Sequence, residues 1–398
     1  MDKNKFTLRD TEKNTIVGQL VRHPFWVLFL SCFSVYLVYF YYVPGKTAAS
    51  ILLLGGFGLL LTCSAALFLT KRLRTEHVIL FLLVAGFLLR LAYIFYTSIY
   101  TRQNDMHLFT GSTGHAGYIN YFYEHIQLPD FDPRTRWQFY HPPLHHFTAA
   151  MFMRINTNLG MSYETACESI QLLTLFYSSA CMLLTLKILR LLKLKGAALF
   201  LPLAIVCFHP GFILLAGSIN NDILSITLMF GAIYAALLWN RKPTVRRILL
   251  VALCIGGAMM AKTSGFLIAP AVAFIFLRKA VSDRAHLSKY IGQFILFGIV
   301  CVPLGLWWSI YNYIRWGMPL NYVPRLGTSA QNQYVGFHSV WERLFGVHWD
   351  QLGSVYMNWG SAPYYEYNVF IGLLKTSLFG EKSFFAMPST EFSLQRCV

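Results

Sequence analysis

Charged side chains are scarce in this sequence, and so are the features of a disulfide-bonded or repetitive protein. Asp, Glu, Lys and Arg make up 13% of the 398 residues, whereas soluble domains carry roughly 25%. The eight Cys residues form no CxxC pair, and neither an internal repeat nor a low-complexity linker is present. An ordinary soluble domain, a disulfide framework and a repeat array are therefore excluded.

Long runs of apolar residues with almost no charge make up much of the sequence. A run of about 20 apolar residues crosses a bilayer as a helix, and a helix satisfies its own backbone hydrogen bonds in lipid. Such runs cover residues 25–43, 51–70, 78–96, 169–186, 199–215, 223–239 and 291–311, with shorter ones at 248–260 and 266–277. We therefore predict an all-α polytopic membrane protein with about nine transmembrane helices.

The distribution of basic residues predicts the orientation. A net charge of +16 would fit a nucleic-acid-binding protein, but the basic residues alternate with the apolar runs. With the amino terminus in the cytoplasm, the inner segments hold 20 Lys and Arg and 5 acidic residues, while the outer segments hold 12 of each. This is the positive-inside pattern. We expect a multi-pass protein of the cell membrane whose partner is the bilayer, not nucleic acid. Arg90 lies within a run, and we expect it to snorkel outward.

The predicted organisation is a cytoplasmic tail (1–23), a transmembrane domain (24–315) with a long outer loop (97–168), and an outer carboxy-terminal segment (316–398). The weakly patterned end suggests a fragment of a longer protein. Within the loop, helical spacing predicts a helix over 113–127 that Thr113 caps. A second helix is predicted to open at His141-Pro142-Pro143, with proline in its first turn. It would run to about residue 156, flat on the membrane surface or partly inserted, without crossing.

The outer loop is rich in ionisable side chains. Six of the twelve His residues lie between His107 and His146, and such density at a membrane boundary is typical of a pocket. The structural alternative is a solvated loop whose His and Tyr side chains sit at headgroup level. A zinc site is a further alternative, because His141, His145 and His146 cluster, but no HExxH motif is present. We expect no metal or other cofactor, and the sequence does not indicate a divalent ion.

Several motifs in and after this loop resemble one family. They are Asn104-Asp105, Gly114-His115-Ala116-Gly117-Tyr118-Ile119, Leu128-Pro129, Tyr140-His141-Pro142-Pro143-Leu144, Ser218-Ile219-Asn220-Asn221-Asp222 and Ala261-Lys262-Thr263-Ser264-Gly265. Together they resemble the C-type (GT-C) membrane glycosyltransferases, in particular the protein mannosyltransferase-like branch, over about residues 80–315. Where many members of that family carry an Asp-Glu pair, this chain has Asp105-Met106.

The resemblance implies a GT-C-like fold that transfers a sugar from a polyprenyl-phosphate carrier, on the outer face, with inversion. The acceptor would be a hydroxyl of an unidentified protein, glycan or lipid. Asp105 would be the general base. A lone carboxylate is sufficient because a lipid phosphate is a good leaving group that needs charge stabilisation more than a proton. The implied substrate-binding residues are Arg102, His115, Arg136, Tyr140, His141, Asn221, Asp222 and Lys262.

Each of these assignments has a structural alternative. Asn104-Asp105 is also a turn-forming pair, and Asn220-Asn221-Asp222 is also a helix cap. Lys262 could snorkel to the interface. At the level of function, the competing class is a transporter or lipid flippase, which predicts paired ionisable residues at mid-membrane in discontinuous helices. A membrane subunit without activity of its own is the third alternative.

Overall fold

The computed structural model describes Leu20 and residues 23–100, 106–320, 322, 338–353, 356–358 and 364–379. This part of the chain is almost entirely helical. Its α-helices are α1 (Pro24–Tyr41), α2 (Lys46–Leu69), α3 (Thr75–Tyr96), α4 (Gly114–His125), α5 (Leu144–Asn158), α6 (Tyr163–Leu191), α7 (Ala197–Phe208), α8 (Pro210–Gly217), α9 (Asp222–Arg241), α10 (Val245–Ala261), α11 (Ala269–Ser282), α12 (Leu287–Trp316), α13 (Val340–Phe345) and α14 (Val369–Phe379). Short 3-10 helices cover Pro133–Thr135, Thr263–Ile268, Arg284–His286 and Trp349–Gln351.

Seven helical segments in the described part are long and apolar enough to cross a membrane. They are α1, α2, α3, α6, α9, Thr263–Ser282 and Arg284–Trp316. The bent pair α7 and α8 adds an eighth if it is counted as one span. At 17 residues, α10 is shorter than every one of these segments. The architecture is that of a polytopic helical membrane protein, and the predicted number of nine spans is not confirmed.

Helix α6 lies at the centre of the bundle. It packs against α1, α3, α5, α7, α8 and α9, and 67% of the residues in its most apolar stretch are buried. Helix α2, in contrast, has no buried residue in its most apolar stretch and contacts mainly α3. Because α2 is apolar all round yet unburied, its surface is the kind that lipid would cover. A second packing centre forms where α9, α10, α11 and α12 enclose the fully buried indole of Trp239.

The span predicted over 199–215 is not one straight helix. Pro210 begins α8, and α7 and α8 meet at an angle of 41°. Since Pro210 has no N–H, the carbonyl of Val206 loses its helical partner four residues ahead. Polar groups of α6 bind carbonyls of α8, after the break: Ser178 donates to the Phe212 carbonyl at 2.6 Å and Thr174 to the Ala216 carbonyl at 2.7 Å.

Arg90 binds the carbonyls at the α7 side of this break. The expectation that it snorkels is therefore wrong. Its side chain is fully buried. The guanidinium donates to the carbonyls of Val206 at 3.0 Å and Cys207 at 2.7 Å, and to the Ser178 hydroxyl at 2.8 Å. A further bond of 2.9 Å reaches the Gly86 carbonyl in its own helix. Arg90 therefore joins α3, α6 and the carboxyl end of α7 inside the bundle.

The described part of the loop between α3 and α6 folds into a packed lobe that contacts α6. The predicted helix over 113–127 is present as α4, but the Thr113 side chain does not cap it, since its hydroxyl pairs with His107 Nδ1 at 2.9 Å. The second helix, α5, begins at Leu144, after both prolines and not at His141. With 15 residues it is not among the segments long enough to span, and it packs against α4 and α6.

The carboxy-terminal segment is tied to the bundle through α14. This helix packs against α8, and Lys375 and Glu366 form a buried ion pair of 2.8 Å. The strands β1 (Met357–Asn358) and β2 (Tyr364–Tyr365) pair antiparallel, with Met357 opposite Tyr365.

Candidate functional site

The amino-terminal end of α4 is fixed by backbone contacts within the outer loop. The Gly114 N–H donates to the Trp137 carbonyl at 2.9 Å, and the Ala116 N–H donates to the Met106 carbonyl at 3.0 Å. Gly114 has a φ of +79°, and a Cβ there would lie 2.3 Å from the Met106 carbonyl oxygen. Only glycine fits this position, which sets the direction of the next residue, His115.

Four imidazoles meet where α4 faces the start of α5, and we call His115, His141, His145 and His146 the histidine cluster. The rings of His115 and His146 are nearly parallel, at 5° with centroids 5.2 Å apart. The His141 ring lies 5.7 Å from that of His115 at an angle of 9°. Tyr118 stacks on His146 at 4.3 Å. These four loop histidines therefore lie in an aromatic core, whereas His107 and His125 are exposed.

Burial keeps the histidine cluster neutral. It lowers the pKa of His141 to about 3 and that of His145 to about 4, and it holds the pKa values of His115 and His146 well below the usual range. The nearby charge of Lys262 lowers the pKa values of His115 and His141 further. At neutral pH each ring therefore has one N–H and one bare nitrogen.

An ion pair between Lys262 and Asp222 lies beside this cluster. Lys262 follows the last residue of α10, and Asp222 is the first residue of α9. Their side chains are 31% and 30% exposed, so the pair is accessible from outside. Gly265 allows the close turn after Lys262, since a Cβ there would lie 2.5 Å from the Ala258 backbone carbon.

Asn221 joins the two helix ends that carry this pair. Its side chain is fully buried, and Nδ2 donates to the Ala261 carbonyl at 2.7 Å. It makes no side-chain capping bond to α9, so the helix-cap interpretation does not describe its contact. Asn220 is closer to that role, because its Oδ1 accepts from the Asp222 N–H at 3.3 Å.

The histidine cluster and the ion pair form one continuous site. His145 Nε2 donates to the Ile219 carbonyl at 2.8 Å, which connects α5 to the segment before Asp222. The charge of Asp222 raises the pKa values of His141 and His145, opposing the effect of burial. We call this combination the candidate site. Motifs that lie far apart in the sequence, at 114–119, 140–144, 218–222 and 261–265, contribute to it.

Most of the predicted substrate-binding residues lie in or beside the candidate site. His115, His141, Asn221, Asp222 and Lys262 belong to it. The ring of Tyr140 lies 4.6 Å from that of His141, and its carbonyl accepts from Trp308 Nε1 on α12 at 3.1 Å.

Two predicted residues cannot be placed in the site, and a third lies apart from it. Asp105 and Arg102 fall outside the described residues. Arg136 stacks on Phe131, with the guanidinium carbon 3.9 Å from the ring centroid. Among the described residues, no contact joins Arg136 to Lys262 or to the histidine cluster, so its inclusion among the site residues is not supported.

Three other loop carboxylates, Asp132, Glu124 and Asp130, lie in ordinary surface surroundings. Asp132 accepts from Arg134 in an ion pair of 2.5 Å, and these hydrogen bonds lower the pKa of the carboxyl. Glu124 accepts from the Asn120 amide at 2.9 Å on the exposed side of α4. Asp130 is exposed. These residues are natural controls for any test of a catalytic carboxylate.

Sequence reasoning did not assign His145 and His146 to the site. Both are fully buried and follow Pro142-Pro143 at the start of α5. A consecutive His-His pair just after a helix-starting proline pair was the available signal. In the described ranges, no group of three or more His, Cys, Asp or Glu side chains has the arrangement to hold a metal ion.

Comparison with protein-family models, with curated proteins and with solved structures found no match for this chain. The site must therefore be interpreted from its own geometry.

Proposed function

We propose that the chain is a membrane glycosyltransferase of the GT-C type, moving a sugar from a polyprenyl-phosphate carrier to an acceptor hydroxyl on the outer face. The observation that carries the proposal is the convergence of the 114–119, 140–144, 218–222 and 261–265 motifs at one site beside the bundle. Residues that resemble one family in the sequence are close neighbours in space. If the resemblance were due to chance, these four motifs would not be expected to meet at one site.

The chemistry of the site suits a phosphate leaving group. Lys262 supplies a positive charge at an accessible position, where it can stabilise the charge that develops as the lipid phosphate departs. The neutral imidazoles of His115 and His141 add hydrogen-bonding groups without a competing positive charge. Asp105 is the proposed general base. Its neighbour Met106 is buried and bonds through its carbonyl to the start of α4, next to His115.

The transporter alternative depends on ionisable groups within the spans. Arg90 and the break between α7 and α8 are the kind of features that this class uses. However, the Arg90 guanidinium is fully buried and donates four hydrogen bonds to protein groups. Four of its five N–H groups bond to the protein, and its full burial keeps a transported ligand from the fifth. The accessible charges lie instead at the candidate site, which favours the enzyme.

The test of the proposed function is the substitution Asp105→Asn. It keeps the size of the side chain but removes the base, so transfer of a radiolabelled sugar from a polyprenyl phosphate should fall by about 10²–10⁴-fold. The matched controls are Glu124→Gln, Asp130→Asn and Asp132→Asn, which should each retain most of the activity. Expression and detergent-solubilised yield serve to confirm that every variant folds.

Two outcomes would contradict the assignment. If Asp105→Asn retains its activity while one control loses it, the base is a different carboxylate. If none of the four changes affects transfer, the outer loop is not a catalytic loop and the enzyme proposal fails.

A further inference from the structure

Asn312 is a buried amide near the carboxyl end of α12 that no group in the described part of the chain satisfies. Its side chain is fully buried, and neither Nδ2 nor Oδ1 has a hydrogen-bond partner there. The Nδ2 group can donate two hydrogen bonds and Oδ1 can accept two. Leaving such groups buried and unpaired is unfavourable, and an apolar residue of similar size would avoid the cost. The amide therefore calls for a partner that the described chain does not supply.

The packing of α12 against α10 places Asn312 close to the candidate site. The two helices pack side by side and run in the same direction. A Cβ at Gly305 on α12 would lie 2.7 Å from the Met259 Sδ atom on α10. Lys262 comes three residues after Met259, and Trp308 comes three residues after Gly305. Lys262 therefore lies near the level of Trp308, one helical turn before Asn312.

Asn312 also lies on the side of α12 that meets the outer loop. One turn before it, Trp308 Nε1 donates to the Tyr140 carbonyl at 3.1 Å. One turn after it, the Trp316 carbonyl accepts from the Arg134 guanidinium at 2.8 Å. Residues four apart lie on one side of a helix, so Asn312 is placed between two contacts of α12 with this loop. The ring of Tyr140 adjoins the histidine cluster, which connects Asn312 to the candidate site.

We infer that Asn312 binds hydroxyl groups of the donor sugar and contributes to the selection of that sugar. The inference rests on the proposed function. A hydroxyl group can accept from Nδ2 and donate to Oδ1, whereas an ionised phosphate only accepts and a lipid chain does neither. Hydroxyl groups therefore match the two unpaired atoms of this amide.

The distance along the helix fits a sugar that is attached to the phosphate. A rise of 1.5 Å per residue places Asn312 about 6 Å beyond Trp308, and Lys262 lies near the level of Trp308. The hydroxyls of a hexose whose phosphate is held at Lys262 can span this separation. A site built to bond a hydroxyl also rejects a ligand that lacks it, because the buried polar groups are then left unpaired. Asn312 is thus suited to selectivity, while Lys262 is suited to the charge of the phosphate.

The experiment measures the Kd of the wild type and of Asn312→Leu in detergent for polyprenyl phosphate carrying mannose, glucose or galactose, and for bare polyprenyl phosphate. Leucine resembles asparagine in shape but has no polar atom. For the sugar that the wild type binds best, we expect Kd to rise about 10- to 100-fold in Asn312→Leu, the effect of losing two hydrogen bonds. The Kd for bare polyprenyl phosphate should be unchanged. Without ligand, the unfolding temperature of Asn312→Leu should equal or exceed that of the wild type, because unpaired polar groups have been removed.

Gln293→Leu is the matched control. Gln293 is a buried amide on the same helix, but its Oε1 accepts from Trp239 Nε1 at 2.6 Å. It lies roughly 28 Å from Asn312 along the helix axis. Its replacement should lower the unfolding temperature and leave the Kd of every lipid unchanged. The two variants should therefore show opposite patterns of stability and affinity.

Three results would overturn the inference. An unchanged Kd for the sugar-bearing lipid in Asn312→Leu would mean that the amide does not contact the sugar. An equal loss of affinity for bare polyprenyl phosphate, or a variant that does not fold, would give Asn312 a structural role instead. If the wild type binds none of the sugar-bearing lipids more tightly than bare polyprenyl phosphate, the proposed function fails, and the inference fails with it. That last result is seen in the wild type alone, so it is distinguished from a failure that concerns only Asn312.

Discussion

Arg90→Met is the substitution that most directly tests how the bundle is held together. Methionine is similar in length to arginine and apolar, so it fills most of the space but donates nothing. The carbonyls of Val206 and Cys207, which accept from Arg90 at 3.0 and 2.7 Å, would then lose this partner inside the bundle. Pro210 cannot replace it for Val206, because proline has no N–H.

The expected cost can be worked out from these contacts. A buried polar group left without a partner costs about 1–3 kcal/mol, so two carbonyls give about 2–6 kcal/mol. Removing the buried charge returns part of this, since desolvating a guanidinium is itself unfavourable. We expect a net loss of about 2–4 kcal/mol in the free energy of unfolding. Arg90→Lys keeps the charge but reaches fewer acceptors, so it should fall between the wild type and Arg90→Met.

The assay is denaturant unfolding in detergent micelles, followed by tryptophan fluorescence and by size-exclusion chromatography. A snorkelling arginine would predict the opposite result, because replacing it with methionine in a span would be neutral or stabilising. If Arg90→Met is as stable as the wild type, or more stable than Arg90→Lys, the reasoning about the helix break is wrong.

Two further predictions concern acid sensitivity and orientation. Burial lowers the pKa of His145 to about 4, whereas an unfolded histidine titrates near 6.5. Below pH 6.5 the unfolded chain therefore binds a proton that the folded chain does not, and stability falls as the pH drops from about 6.5 toward 4. At pH 5 the loss from His145 alone should be about 2 kcal/mol. His145→Gln keeps a donor for the Ile219 carbonyl but does not titrate, so thermal unfolding should show a shallower pH dependence. An identical pH dependence would refute this assignment. For orientation, reporter fusions in the connections at Arg74, Gly196 and Lys242 should report a cytoplasmic location, and an outer location for two of the three would invert the topology.

The local features of the sequence predicted local structure well. Each apolar run without an internal breaker corresponds to an observed helix, as for the run at 169–186 inside α6 and the run at 223–239 inside α9. The two loop helices were also predicted, because helical spacing and proline act within a few residues. The exceptions have local causes that are easy to miss. Pro210, one of two prolines in the run at 199–215, divides a run that is apolar enough to cross as one helix.

Long-range contacts were the part that the sequence did not predict. Arg136 was grouped with Lys262 because both are basic and near a motif, but its side chain stacks on Phe131. Arg90 was expected to reach the interface, but the carbonyls exposed by a helix break lie 116 and 117 residues further along the chain. Charge and hydropathy are properties of single positions. They carry no information about which distant group is unsatisfied.

The sequence by itself determined that this chain is helical, with several helices long and apolar enough to cross a membrane, since apolar length and backbone hydrogen bonding in lipid leave few other structures. It also determined which ionisable residue types are available at the candidate site. Only the tertiary structure decided that Lys262 pairs with Asp222, that His146 bonds to His115, and that this pair and the histidine cluster share one site. The physical reason is that each of these contacts joins helix ends or loops distant in the chain. Their distance is fixed by how the helices pack, not by any property of the residues themselves.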